Sequence, residues 1–315
     1  MPYSIIVAGS TSRTLQCIQA LSKDARFEIS AVLTPIPKVV GRKKAATPNP
    51  VHQWATDTAT PSILVEKRID TVVKEQVENI ASPDFLLVVD FGYIVPQWLL
   101  ELPSIAPVNV HPSALPRWRG SSPGQFVLLH AEPTSAVTIM LMHAGLDTGP
   151  ILKQIPFEVS ENWTQTEYYQ KSFALVTAKL AETLAAFATE EIDPTDQPTN
   201  SPTPIARRLD KADSFVPWSI LETALAGEAP RADQLPELLQ SVLKHHPSVA
   251  HLLVSASKAF QPWPGLWTLI PTSKGEVRMK LLNLEVLDGY LQLKQVHVAG
   301  HDEPVTWNQV KSILV

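Results

Sequence analysis

"DFLLVV", residues 84–89, is the stretch whose reading decides the fold. Phe85, Leu86, Leu87, Val88 and Val89 are consecutively apolar, so a strand built from them has no polar face to turn to water. Such a strand is covered on both sides, as in a parallel sheet with helices packed on each face. Upstream, "SIIVA" at residues 4–8 reads as a second strand that ends in Gly9, Ser10, Thr11 and Ser12, with a helix expected over residues 13–23. Further strands are expected over residues 28–34 and 61–65. Downstream, Val108 and Val110 mark the end of another strand, and residues 137–142 form one more. Strands alternating with helices to about Glu191 predict a doubly wound, parallel-sheet, Rossmann-like α/β domain.

The next signal is helical. Thr164 and Glu167 form a capping box, and Tyr169, Phe173, Val176, Leu180, Leu184 and Phe187 recur at steps of three and four, the spacing of a core-facing helix. From Ile192 the composition turns to Asp, Thr and Gln, punctuated by Pro194, Pro198, Pro202 and Pro204, which reads as a linker. Beyond it come a helical stretch near residues 233–245 and two strands, 281–286 and 290–298, joined as a hairpin through Leu287, Asp288 and Gly289. The expected organisation is residues 1–191 as one domain, 192–204 as linker, and 205–315 as a smaller, β-barrel-like (OB-like) domain.

Composition narrows the class. At 315 residues the chain can hold two cores, and 28 prolines against 12 glycines imply stiff, extended connections. Cys17 is the only cysteine, which excludes an intrachain disulfide scaffold or a multi-cysteine zinc site and favours the cytoplasm. The most apolar stretch, residues 85–102, is broken by Asp90 and Pro96, and the amino terminus has no signal-peptide pattern; a soluble protein is expected. The net charge of −5 argues against a generally basic surface. Yet residues 29–56 contain no acidic side chain and carry Lys38, Arg42, Lys43 and Lys44, with Arg117 and Arg119 further on. A charge run is usually a solvated face; here phosphate contact is preferred.

The chemistry centres on "NVHPSALPRWRG", residues 109–120. Alternation along a strand turns Asn109 and His111 to one side and Val110 to the other. The segment after residues 137–142, "HAGLDTG", carries Asp147 on a neighbouring loop that could reach His111. An Asn-x-His pair after a strand is, on its own, more often a hydrogen-bonded loop than a catalytic pair. Joined by Asp147, it makes a sensible site for acyl transfer to an amine. The amide donates to a developing oxyanion, the imidazole moves a proton or stabilises charge, and the carboxylate orients the imidazole. No Ser or Cys nucleophile is required, because a neutral amine attacks directly.

The run from Asn109 to Leu152 resembles the folate-dependent formyltransferases: an Asn-x-His, then a Ser-Leu-Leu-Pro-(Arg)-aromatic-Arg-Gly loop, then Gly-Leu-Asp-Thr-Gly, in that order and at that separation. "DFGYIVPQWLLELP", "GRKKAATPNPV" and "AFQPWPGLWT" resemble further family segments, so the likeness spans nearly the whole chain. It implies that Asn109, His111 and Asp147 are the catalytic trio. It also implies a tetrahydrofolate site of Phe91, Gly92, Ile94, Ser113, Ala114, Leu115, Pro116, Gly145 and Leu146. Within the family the likeness is greatest to members acting on charged tRNA. It therefore implies 10-formyltetrahydrofolate as donor, the α-amino group of initiator methionyl-tRNA as acceptor, Arg42, Lys43 and Lys44 as tRNA contacts, and a tRNA-contacting carboxyl-terminal domain. A monomer without metal is expected. The first turn departs from the family, with Ser10-Thr11-Ser12 where Thr-Pro and an aromatic are usual, and Ala114 stands in place of a Leu.

Two rivals accompany this reading. A sugar-nucleotide amine N-formyltransferase would share the trio without needing the basic loop, and a non-catalytic folate- or tRNA-binding protein would not require all three residues together. Lesser signals carry less. His245, His246 and His251 read as a solvated helix end rather than a metal site, and the absence of G-x-G-x-x-G after the first strand dismisses a dinucleotide.

Overall fold

In the computed structural model, which describes residues 1–40, 45–80, 82–273 and 275–311, thirteen strands are described. They are β1 (Tyr3–Gly9), β2 (Phe27–Pro35), β3 (Lys38–Val40), β4 (Ala45–Thr47), β5 (Ser62–Val65), β6 (Phe85–Val89), β7 (Ala106–His111), β8 (Thr134–Leu141), β9 (Ile151–Glu158), β10 (Trp267–Thr272), β11 (Gly275–Leu287), β12 (Tyr290–Val298) and β13 (Val305–Thr306). The helices are α1 (Ser12–Leu21), α2 (Pro50–Asp57), α3 (Thr71–Glu78), α4 (Gln97–Leu100), α5 (Pro123–Leu129), α6 (Gln165–Thr177), α7 (Leu180–Ala188), α8 (Trp218–Leu225), α9 (Glu237–Val242), α10 (Val249–Phe260) and α11 (Trp307–Val310). One compact unit comprises Met1–Arg119, Ala136–Phe157 and Gln170–Pro204; the other comprises Gly120–Ser135, Glu158–Tyr169 and Ile205–Val315. Residues 120–135 and 158–169, which the sequence groups with the amino-terminal domain, thus pack with the second unit.

The first unit is organised by a seven-stranded sheet in the order β5-β2-β1-β6-β7-β8-β9. All five residues of β6 are buried, as a continuous apolar run requires. Strands β5, β2, β1, β6 and β7 are mutually parallel. The order turns back between β1 and β6, and at such a reversal an open α/β sheet leaves a crevice beyond its strand ends. On one face Ile6, Ala8, Leu33, Leu86 and Val88 pack with Val73 and Val77 of α3. At about 25 cal/mol per Å² of apolar surface removed from water, such side chains contribute roughly 1.5–3 kcal/mol each.

Strand β8 is antiparallel to β7, with Leu141 opposite Val108 and Thr138 opposite His111. The parallel sheet therefore ends at β7, a direction that an apolar run alone cannot disclose. The periodic helix expected from Thr164 begins with its capping box in place, Glu167 accepting from the Thr164 amide at 2.7 Å, but it breaks into α6 and α7. Thr177 returns its hydroxyl to the Phe173 carbonyl at 2.7 Å, and Lys179 donates three residues back to Val176. The first adds a side-chain donor to a helical carbonyl, which bends helices, and the second is the tighter i−3 bond of a 3-10 turn.

In the second unit β10 to β13 form a four-stranded antiparallel sheet, the small β domain expected. Leu287 pairs with Tyr290, so Asp288 and Gly289 alone make the turn, both at positive φ (51° and 84°). That two-residue turn matches the twist of the flanking strands. The expected helix near 233–245 is instead two short 3-10 turns around α9. His246 is not a solvated side chain: it is half-buried, and its Nε2 donates to the Leu129 carbonyl at 2.8 Å. Burial holds its pKa below the usual 6.5, with His245 and His251 adding and the Leu129 bond opposing. Among the described residues no helix is long and apolar enough to cross a membrane.

Candidate active site

Strand β7 ends on His111, which is 4% exposed. Asn109, two residues earlier, shares its side of the strand, and Val110 is buried on the other. The Asn109 side chain has no hydrogen-bond partner among the described residues and is only partly buried, which leaves an amide donor at the strand end. The imidazole is fixed from two directions. Nε2 lies 3.0 Å from the carbonyl oxygen of Trp118, which can only accept, so Nε2 carries the hydrogen. Nδ1 then faces Asp147, whose Oδ2 is 3.7 Å away. That is longer than a hydrogen bond, and with a hydrogen already on Nε2 the two groups attract only when Nδ1 is protonated as well.

Asp147 reaches His111 by an indirect route. Because β8 runs antiparallel to β7, the loop carrying Asp147 leaves beside the start of β7, where Met142 donates to the Pro107 carbonyl at 2.9 Å, and doubles back. The return needs close backbone approach. A Cβ on Gly149 would lie 1.9 Å from the Leu141 carbonyl oxygen, so only glycine fits. Asp147 itself is left-handed, with φ 50°, as is Trp118, with φ 57°. Left-handed backbone costs about 1 kcal/mol or more for a residue with a side chain and persists only where surroundings enforce it.

The expected folate residues divide by exposure. Ser113 is wholly buried and gives its hydroxyl to the Arg117 carbonyl at 2.7 Å. Leu115 is also buried, its carbonyl accepting from Gln154 at 2.6 Å. Ala114 and Pro116 are half-exposed. Following β6, Phe91 is half-buried, Gly92 is exposed with open space where a Cβ would be, and Ile94 is 91% exposed. Gly145 is exposed and Leu146 is 57% exposed. Two bare aliphatic side chains, on the loops that follow β6 and β8, the neighbours of β7, leave apolar surface that a bound ring system could cover.

Arg42, Lys43 and Lys44 lie outside the described residues. The ribbon of β3 and β4 that brackets them is antiparallel, Lys38 opposite Thr47. Arg119 is no surface cation: it is 7% exposed and donates to Gln197 Oε1 (2.9 and 3.2 Å) and to the carbonyls of Pro198 (2.8 Å) and Thr199 (3.1 Å). Gln197, Ser201 and Thr203 were not singled out by sequence, yet all bond to the site loops. Polar residues between prolines carry no signal of distant partners. At the first turn Thr11 and Arg13 both donate to Asp90, itself at φ 48°. Among the described residues no group of His, Cys, Asp and Glu is arranged to hold a metal ion.

The doubly wound sheet thus brings to one strand end an amide with no hydrogen-bond partner among the described residues, an imidazole held by the Trp118 carbonyl, and a facing carboxylate. Residues 3–184 match the profile of the family described as formyl transferase, and the chain belongs to that family. It is similar to methionyl-tRNA formyltransferase of Legionella pneumophila (strain Corby), 31% identical over 217 residues and 68% of each chain. It is likewise similar to that of Sulfurovum sp. (strain NBC37-1), 30% identical over 285 residues, 88% of this chain and 80% of the other. In fold it resembles the solved methionyl-tRNA formyltransferase of Clostridium thermocellum (TM-score 0.56, 13% identity, covering 96% of this chain and 99% of that one). It equally resembles an N-formyltransferase of Helicobacter canadensis solved with folinic acid and dTDP-3-aminofucose (TM-score 0.57, 15% identity, 93% and 95% covered).

Proposed function

We propose that the chain transfers the formyl group of 10-formyltetrahydrofolate to the α-amino group of initiator methionyl-tRNA. The observation that carries this reading is the joint placement of Asn109, His111 and Asp147, in a chain about 30% identical over most of its length to methionyl-tRNA formyltransferases. The donor supplies an electrophilic formyl carbon; the acceptor amine forms a C–N bond to it, the bond from that carbon to the donor's N10 breaks, and the proton lost by the amine ends on the departing nitrogen, leaving tetrahydrofolate. Asn109 donates its amide to the carbonyl oxygen as charge develops there, and His111 stands beside it to hold charge or pass on the proton that the attacking amine releases. Asp147 keeps the Nδ1 edge of the ring turned inward. Ile94, Leu146, Ala114 and Pro116 offer the surface for the donor's ring system, and Gly92 leaves room beside them.

Arg42, Lys43 and Lys44 are proposed as contacts to tRNA phosphates, with a carboxyl-terminal domain from residue 205 assisting after the 192–204 linker. The same reading expects a monomer acting in the cytoplasm without a metal. The test is a formyl-transfer assay run in parallel on charged initiator tRNA, charged elongator tRNA and an amino-sugar nucleotide. Transfer to the initiator tRNA is expected. Preference for the sugar nucleotide would replace the acceptor, and folate binding without transfer to any of the three would remove the enzymatic reading.

A further inference from the structure

The two groups that fix the His111 ring are both held in left-handed backbone, and both are tied to one short segment, residues 197–203. On the Nδ1 side, Gln197 Nε2 donates to the Asp147 carbonyl at 3.0 Å and to the Gly149 carbonyl at 2.7 Å. Its Oε1 is in turn locked by the buried Arg119 guanidinium at 2.9 and 3.2 Å. On the Nε2 side, the Trp118 amide donates to Thr203 Oγ1 at 2.7 Å, and it is the Trp118 carbonyl that accepts from His111. Between them Ser201 donates to the Pro116 carbonyl at 2.8 Å. Both ends of the Gln197 amide are thereby used, and each left-handed residue beside His111 has an anchor in this strap. A peptide held at φ near +50° returns to a commoner conformation when its anchor is removed, and the attached carboxylate or carbonyl then swings away from the ring.

We propose that Gln197 and Thr203 are positioning residues that set the orientation of the His111 imidazole from opposite sides, making the proline-rich strap part of the catalytic apparatus. The proposal rests on the reading of His111 and Asp147 as the working pair. Gln197→Leu removes both donated bonds at nearly constant size, Thr203→Val removes the acceptor for the Trp118 amide, and Thr203→Ser keeps it. Gln197→Leu and Thr203→Val are each expected to lower kcat about tenfold or more, with KM for 10-formyltetrahydrofolate within about twofold, since misplacement by an ångström acts on the transition state. Thr203→Ser is expected to stay near the parent.

The distinguishing readout is the NMR titration of the His111 ring in the full chain, which needs no substrate and so stays readable whatever the acceptor proves to be. Its midpoint is expected to move in Gln197→Leu and Thr203→Val and to stay in Thr203→Ser. If Gln197 acts through Asp147, adding Gln197→Leu to Asp147→Asn costs less than about twofold more. An unmoved titration with kcat within about twofold of the parent in both variants, or a full extra loss in the Asp147→Asn background, overturns the proposal. Should Gln197→Leu not fold, the two Thr203 variants carry the titration and kcat comparison by themselves.

Discussion

In the proposed reaction Asn109, His111 and Asp147 contribute in different ways, and their substitution separates those ways. His111→Ala and Asp147→Ala are each expected to remove most turnover while the folate still binds, because both groups act on developing charge more than on the ground state. Asn109→Ala is expected to cost about 10²–10³ in kcat, the usual loss for one oxyanion donor. Single-turnover rates beside equilibrium folate binding check all three, and near-parent kcat in either His111→Ala or Asp147→Ala means the trio is misassigned. A second residue-level expectation concerns the acceptor. An α-amino group titrates near pH 7.7–8.0 when unperturbed, so transfer should slow as pH falls below about that value and the lone pair is lost; a chemistry-limited rate that is flat from acid to neutral pH contradicts direct amine attack. The placement of these three residues was legible in the sequence: alternation sets Asn109 and His111 on one side of their strand, and Asp147 lies on the next strand's loop within reach of His111. The bonds that hold them were not: Asp147 and Gln197 are 50 positions apart, and Trp118 and Thr203 are 85 apart.

Among the elements, the loop that returns Asp147 to β7 is the most constrained. Gly149→Ala puts a methyl group against the Leu141 carbonyl, and because that obstacle is main chain, backbone must shift. The expected result is a folded protein whose activity falls about as far as Asp147→Ala takes it, with circular dichroism and turnover read side by side; parent-like turnover would show that the loop tolerates displacement. The basic run between β3 and β4 is the other element with a clear test. Neutralising Arg42, Lys43 and Lys44 together should raise KM for charged tRNA and flatten its salt dependence, because phosphate contacts release counterions. KM for 10-formyltetrahydrofolate should hardly change. Unaltered KM for tRNA at moderate salt makes the run a solvated face. Element type was largely readable from sequence: β6 from its unbroken apolar run, the β11–β12 hairpin from its turn residues. Direction was not, since the strand at 137–142 looks the same read parallel or antiparallel. Nor was the break between α6 and α7, where a threonine side chain also donates to a helical carbonyl.

At the scale of the whole molecule, pH is expected to act on stability through a half-buried base. His246 has its pKa held below 6.5 by burial, so the unfolded chain takes up a proton near 6.5 that the native state refuses. The contribution of this group is fully present above that value and is lost as pH falls through the lower, folded-state value. Urea midpoints should therefore decline on acidification below about pH 6.5, and His246→Gln, which keeps an N–H for the Leu129 carbonyl but does not titrate, should make the decline shallower. An unchanged slope would assign the acid sensitivity to other groups.

The reach of the strap has a consequence for the order in which this molecule comes into being. Synthesis proceeds from the amino end, so β1, β2, β5, β6 and β7 are all complete, and able to pair, before residues 197–203 exist. His111 is thus in place on its strand while the backbone beside it still lacks its anchors, and a nascent chain acquires its sheet well before its competence. On the role proposed for the strap, a ribosome-bound chain halted before Gln197 would hold His111 without either anchor, and activity would arrive only with the segment that looks, in sequence, like mere spacing.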